Sequence, residues 1–209
     1  MTLAARLTLA QWLSPAFPVG GFAYSQGLEW AIARDEVGTA DALAAWMADT
    51  LRHGAGRNDT ILLCLAVRAG LPDPDLDDLA RALAPSRERL EETEAQGAAF
   101  AAAAVGLGLA PAPYPVVVGR AARGLDLPLA EVAALWLQAQ VTNLVQIAVR
   151  LVPLGQSCGQ RVLAALHAPI LDLAAEAATA GPDALGGAAF RADLGSMQHE
   201  TMEVRLCRT

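Results

Sequence analysis

Apolar residues recur at three- and four-residue intervals through most of this chain, the spacing of a single helix face. Leu3, Leu7, Leu9 and Leu13 predict a first helix that stops at Ser14-Pro15. A short helix is predicted over 26–34, with Ser25 as its cap and Leu28, Trp30 and Ile32 available for packing. Thr39 is the expected N-cap of a helix over 40–52 that carries Leu43, Trp46, Met47 and Leu51. Asn58 or Asp59 is expected to cap a helix over 60–69 closed by Gly70, and Leu71 to Asp75 to form a loop. Leu76 to Leu83 predicts another short helix, and Ser86 caps a long one running to about Val105. Helices follow over 116–123 and 128–151, the latter with Pro128 at the favoured first position. The last pair is predicted over 160–167 and 170–179, broken or kinked at Pro169.

Glycine- and proline-rich runs punctuate this pattern at 106–115, 153–155 and 181–187, the last read as flexible. From Ala188 to Thr209 the chain is polar, charged and poorly periodic. That composition marks a tail open to disorder until something binds it. The expectation is therefore an all-α protein: one bundle of roughly eight to ten helices over 1–187, then a polar tail over 188–209.

One connector does not fit the polar norm. Ser14 to Trp30 reads SPAFPVGGFAYSQGLEW, with Pro15 and Pro18 fixing φ and Gly20-Gly21 permitting a sharp turn. It carries Phe17, Val19, Phe22 and Tyr24 on a rigid backbone, apolar surface that must be buried in the core or in a partner.

Composition narrows the chemistry. Hydrophobic residues make up 54% of the chain and aromatic ones 5%, and abundant alanine favours helix over sheet. The longest apolar stretch, Leu129 to Val152, is interrupted by Gln138, Gln140, Asn143, Gln146 and Arg150, so it reads as a buried central helix and not a membrane span. No secretory leader pattern opens the chain, and the expected location is cytoplasmic. The net charge of -7 speaks against nucleic acid. All 15 basic residues are arginine, which excludes a Walker A lysine and Schiff-base chemistry. Cys64, Cys158 and Cys207 suggest no disulfide framework, and His53, His167 and His199 show no metal-ligand spacing. No cofactor and no metal ligand set is expected.

Two features could still carry chemistry. Gly155-Gln-Ser-Cys-Gly159 matches G-x-S-x-G, and Asp193 and His199 follow Ser157 in hydrolase order. That motif works on a strand-to-helix elbow, and no alternating strand-helix pattern exists here to build one. The favoured reading is a glycine-bounded helix entry with Ser157 as a capping group. The other feature is the charged start of the long helix, Arg87, Glu88, Arg89, Glu91, Glu92 and Glu94. It reads as a solvated face, not a carboxylate metal site.

Three segments together resemble the UreF family of urease accessory proteins. They are SPAFPVGGFAYSQGLE at Ser14 to Glu29, VRLVPLGQSCGQRVLAAL at Val149 to Leu166, and DLGSMQHETMEVRLCRT at Asp193 to Thr209. Weaker likeness covers Arg57 to Gly70, Ser86 to Phe100 and Pro113 to Gly119. The resemblance implies an all-helical dimer without catalytic activity, a chaperone for urease maturation. Family members bind UreD (UreH in some organisms) and recruit the GTPase UreG, and the assembly inserts nickel into apo-urease at the expense of GTP. Carried over by position, it implies partner contacts at Tyr24, Ser25, Gly27 and Glu29, and at Ser196, His199, Glu200, Arg205, Leu206 and Arg208, which makes 188–209 a partner-binding tail. With that resemblance Tyr24 is assigned to the partner, and Phe17, Val19 and Phe22 to the protein's own core. Cys207 and Thr209 depart from the family's usual RLFRS ending. Two other functions compete with this reading: a serine hydrolase using Ser157, and a conventional GTPase activator with an arginine finger.

Overall fold

The computed structural model describes residues 2–69 and 72–209, and among them it contains eleven α-helices, three isolated 3-10 turns and no strand. α1 (Leu3–Trp12) ends before Ser14-Pro15, as the sequence predicts. α2 (Leu28–Ala33) starts two residues later than expected, because Gln26 and Gly27 both adopt positive φ and only then does the backbone turn helical. α3 (Ala40–His53) is capped by Thr39, whose side chain accepts the Ala42 N–H, and its Leu43, Trp46, Met47 and Leu51 are all buried. The break after it comes at Gly54, so α4 (Ala55–Arg68) begins before Asn58 and Asp59, which therefore cap nothing. The expected stop at Gly70, and Leu71 of the expected loop, lie outside the described residues.

α5 (Asp73–Ala82) takes in residues expected to form a loop, with Pro72 as its N-cap. α6 (Arg87–Ala103) is capped by Ser86, and α7 (Tyr114–Ala122) packs along both α4 and α6. α8 (Leu129–Leu151) follows Pro128, which is its cap and not its first residue. This helix is long and apolar enough to cross a membrane, but it runs through the middle of the bundle against α2 and α4. α9 (Gln156–Ala165) and α10 (His167–Thr179) meet at an angle of 43°, with the break at Leu166 and Pro169 inside the first turn of α10. α11 (Phe190–His199) packs on α2 and α6.

The core is aromatic where four helices converge. Trp12, Phe100, Tyr114 and Trp136 form a chain of ring contacts with centroids 5.9, 6.2 and 5.0 Å apart, joining α1, α6, α7 and α8. The segment 181–187, read as flexible, is tied to α4. Arg57 donates to the Ala184 carbonyl at 2.5 Å, and the Gly186 N–H donates to the Asn58 carboxamide at 3.1 Å. The tail read as open to disorder is folded: it forms α11 and then runs back across the body to a buried Thr209.

Candidate functional site

The loop after α1 is rigid for reasons its sequence only half reveals. Prolines and the left-handed Gly20 (φ +71°) shape it, and α8 fastens it. Asn143 donates to the Gly21 carbonyl and Arg150 to the Phe22 carbonyl, each at 2.7 Å. Ser25 then accepts the Glu29 N–H at 3.2 Å, a cap in effect although α2 has not yet begun. Gly27 (φ +81°) is the point of closest approach to α11: a Cβ there would lie 2.5 Å from the Ser196 nitrogen.

α11 and the residues after it complete the site. Arg208 N–H donates to the Ala23 carbonyl at 2.7 Å, and Ser25 N–H to the Thr209 carbonyl at 2.8 Å. The Ser25 hydroxyl donates to the same carbonyl. Beneath this segment sits Glu29, 7% exposed. Its carboxylate accepts two consecutive backbone amides, Leu206 at 2.7 Å and Cys207 at 2.8 Å. It also meets the His199 Nε2 at 3.1 Å. Burial alone would push the Glu29 carboxyl up, but those two amides and His199 outweigh it and hold it below its ordinary value.

His199 is fully buried, and its other nitrogen, Nδ1, lies 2.8 Å from Glu88. Arg205 donates to the second Glu88 oxygen at 2.7 Å. The start of α6 is thus fixed by the tail. Glu200 accepts the Arg87 N–H at 3.0 Å, where a carboxylate favours the helix N-terminus, and Ser86 and Ser196 share a hydrogen bond of 2.6 Å. One turn on, Glu92 accepts from Thr209 at 2.9 Å, from Gln26 at 3.0 Å and from the buried Arg89 at 2.5 Å.

The structure brings the ten nominated residues to one place, but in two layers. Tyr24, Ser25, Gly27, Glu29, Ser196 and His199 are buried within the chain itself. Glu200 is half-buried, and Arg205, Leu206 and Arg208 face outward. Tyr24, assigned to a partner, lies under Arg208, whose guanidinium sits 5.6 Å from the ring centroid and 3.4 Å from the hydroxyl. Burial raises the Tyr24 phenol above its ordinary value. Phe22, assigned to the core, is 65% exposed, while its backbone carbonyl is held by Arg150. Phe17 and Val19 are half-buried against the core.

Sequence reasoning missed Glu88, Arg89 and Glu92, taken for a solvated face and in fact buried. A signal existed: Glu88, Glu92 and Gln96 recur every four residues on one side of α6, and all three are buried. Together with Arg87, Glu91, Glu200, Arg205 and Arg208, the same side frames a shallow charged groove floored by Glu88 and Cys207.

The hydrolase arrangement is not assembled. Ser157 is an exposed residue in the first turn of α9 with no capping bond, and both nitrogens of His199 are occupied by carboxylates. Cys64 and Cys207 are buried, and burial pushes their thiols up to about 12 and about 11, the latter helped by Glu29. No group of His, Cys, Asp or Glu among the described residues has metal-binding geometry.

Residues 37–167 match the UreF family model. The chain is similar to proteins named urease accessory protein UreF across nearly its whole length. It is 59% identical to that of Cereibacter sphaeroides (strain ATCC 17029), over 99% of both chains. It is 52% identical to that of Paracoccus denitrificans, over 99% of this chain and 97% of the relative. For Methylobacterium sp. (strain 4-46) the identity is 47%, over 97% of this chain and 88% of the relative.

Proposed function

The chain belongs to the UreF family of urease accessory proteins, and from that premise we propose that it couples a UreD-type (UreH) partner to the GTPase UreG. It is a maturation factor and not an enzyme. In the proposed role it acts in the cytoplasm, within an assembly that delivers nickel to apo-urease with GTP hydrolysis. The observation that carries this reading is the face made by the first motif and the tail. Residues 170 or more apart in sequence are locked together, leaving Phe22, Arg205, Leu206 and Arg208 directed outward. Such a surface combines a rigid aromatic with arginine, the residue types that anchor protein interfaces. It is preorganised, which lowers the ordering cost of association.

A homodimer within that assembly is part of the same proposal. Its support is a set of exposed apolar side chains away from the tail: Leu3 and Leu7 of α1, and Leu135 of α8, two helices pinned together by the Arg6–Glu131 ion pair.

We favour an ordering scaffold over an arginine finger, because Arg205 and Arg208 are already engaged by Glu88 and Tyr24. Co-expression with UreD and UreG tests the coupling. Arg208→Ala or Leu206→Ala should abolish three-way co-purification while leaving the helical circular dichroism intact; unchanged co-purification overturns the reading. Single-turnover GTP hydrolysis by UreG across the arginine variants separates the two mechanisms. A loss on the order of a thousandfold from one arginine would favour the finger.

A further inference from the structure

His199 has no solvent exposure and has a carboxylate oxygen at each end of its ring, 2.8 Å from Nδ1 and 3.1 Å from Nε2. A neutral imidazole has one N–H and one lone pair. It can donate to Glu29 or to Glu88, and must then turn its lone pair toward the oxygen lone pairs of the other. With a second proton, both contacts become charge-assisted hydrogen bonds. We propose that the docked tail is closed by this one proton, with Glu88 and His199 as the pair that positions the Arg205–Thr209 segment.

The charges around the ring fit that count. Glu29 on α2 and Glu88 on α6 supply two negative charges against His199; Arg205 supplies a positive charge from the tail. On its own side of the ring, Glu200 is matched by Arg87 at 3.5 Å. Cys207 faces Glu29 as a neutral thiol, with Arg150 of α8 beyond it, and Arg208 is turned to Tyr24. Glu92, further along α6, is matched by Arg89. One proton shared between His199 and Glu88 makes the Glu29–His199–Glu88–Arg205 group neutral, wherever on that hydrogen bond it resides. Without it, a buried net negative charge remains directly under the Leu206 and Cys207 amides.

The docked state therefore binds one more proton than the undocked state at alkaline pH. Its opening equilibrium should rise by up to tenfold per pH unit there. The same logic fixes the decisive substitution. In Glu88→Gln, the amide oxygen still accepts from Arg205, and the amide N–H donates to an unprotonated Nδ1. The lock then closes without the proton.

Hydrogen exchange of the Leu206 and Cys207 amides in the full chain, corrected for intrinsic exchange, reads the opening equilibrium between pH 6 and pH 9. The expected result is steadily falling protection in the unaltered protein and a flat profile in Glu88→Gln. A flat profile in the unaltered protein overturns the proposal, and so does an equal slope in the variant. If Glu88→Gln does not dock its tail at all, nitrogen NMR of the His199 ring in the unaltered protein decides. The proton between Nδ1 and Glu88 must still be present in the docked state at pH values where Leu206 and Cys207 protection is already falling, and its absence there overturns the proposal.

Discussion

Replacing Gly27 by alanine should pull the tail away from the body, and Gly20 provides the matched control. Both residues have left-handed φ, +81° and +71°, so alanine at either position costs about 1 kcal/mol of backbone strain. They differ in surroundings. A Cβ on Gly20 meets nothing within 4 Å; one on Gly27 would lie 2.5 Å from the Ser196 nitrogen and 2.8 Å from the Ala192 carbonyl oxygen. Backbone cannot rotate aside as a side chain does. Restoring ordinary contact of about 3.4 Å moves α11 outward by about 0.9 Å, and overpacking of that kind costs about 1–3 kcal/mol. Urea denaturation should therefore show Gly20→Ala losing about 1 kcal/mol and Gly27→Ala about 2–4 kcal/mol. Hydrogen exchange should assign the excess to α11 and the Leu206 and Cys207 amides. Equal losses in the two variants, with the tail still protected in both, would refute the close α2–α11 packing.

Three further outcomes follow from the same geometry. Glu29→Ala strands two backbone donors and His199 in a buried site, and should cost about 3–5 kcal/mol by denaturant unfolding, with most of the lost protection in residues 199–209. Acid should undo the same contacts: the folded Glu29 carboxyl lies below its ordinary 4.5, so its stabilisation is complete above that pH and is lost as pH falls through the folded value. Tail exchange measured below pH 4.5 checks this, and an acid-insensitive tail would contradict it. Phe22→Ala should change stability by no more than about 0.5 kcal/mol, because the ring is 65% exposed, while weakening capture of UreD or UreG in a co-purification assay.

Local chemistry was legible in the sequence wherever it acts over a few residues. Thr39 and Ser86 cap the helices they were assigned, because an N-cap bond spans three residues. Leu43, Trp46, Met47 and Leu51 are buried, because one helix turn sets their common face. Asn58 was misjudged for a related reason: it is a good cap in isolation, but Gly54 interrupts the chain earlier and leaves Asn58 inside α4, where it binds the 181–187 segment instead. Non-local pairing was invisible. Glu88 and Glu92 look solvated beside their own neighbours; their partners His199, Arg205 and Thr209 come from more than 100 residues away. The tail's polarity suggested disorder for the same reason. Its polar groups are matched, but by the first motif and by the start of α6.

That separation gives the face a timing. Glu29 emerges early in synthesis, and the residue that clasps it follows 170 positions later. At 5–20 residues per second, this interval is about 10–35 s. Throughout it, the Glu29 carboxylate lacks the Leu206 and Cys207 amides that donate to it, and the Arg87 N–H at the start of α6 lacks its Glu200 acceptor. Only a chain translated past Arg208 can close the lock. Phe22 is synthesised early, but the arginines that complete its face reach partners only after that interval.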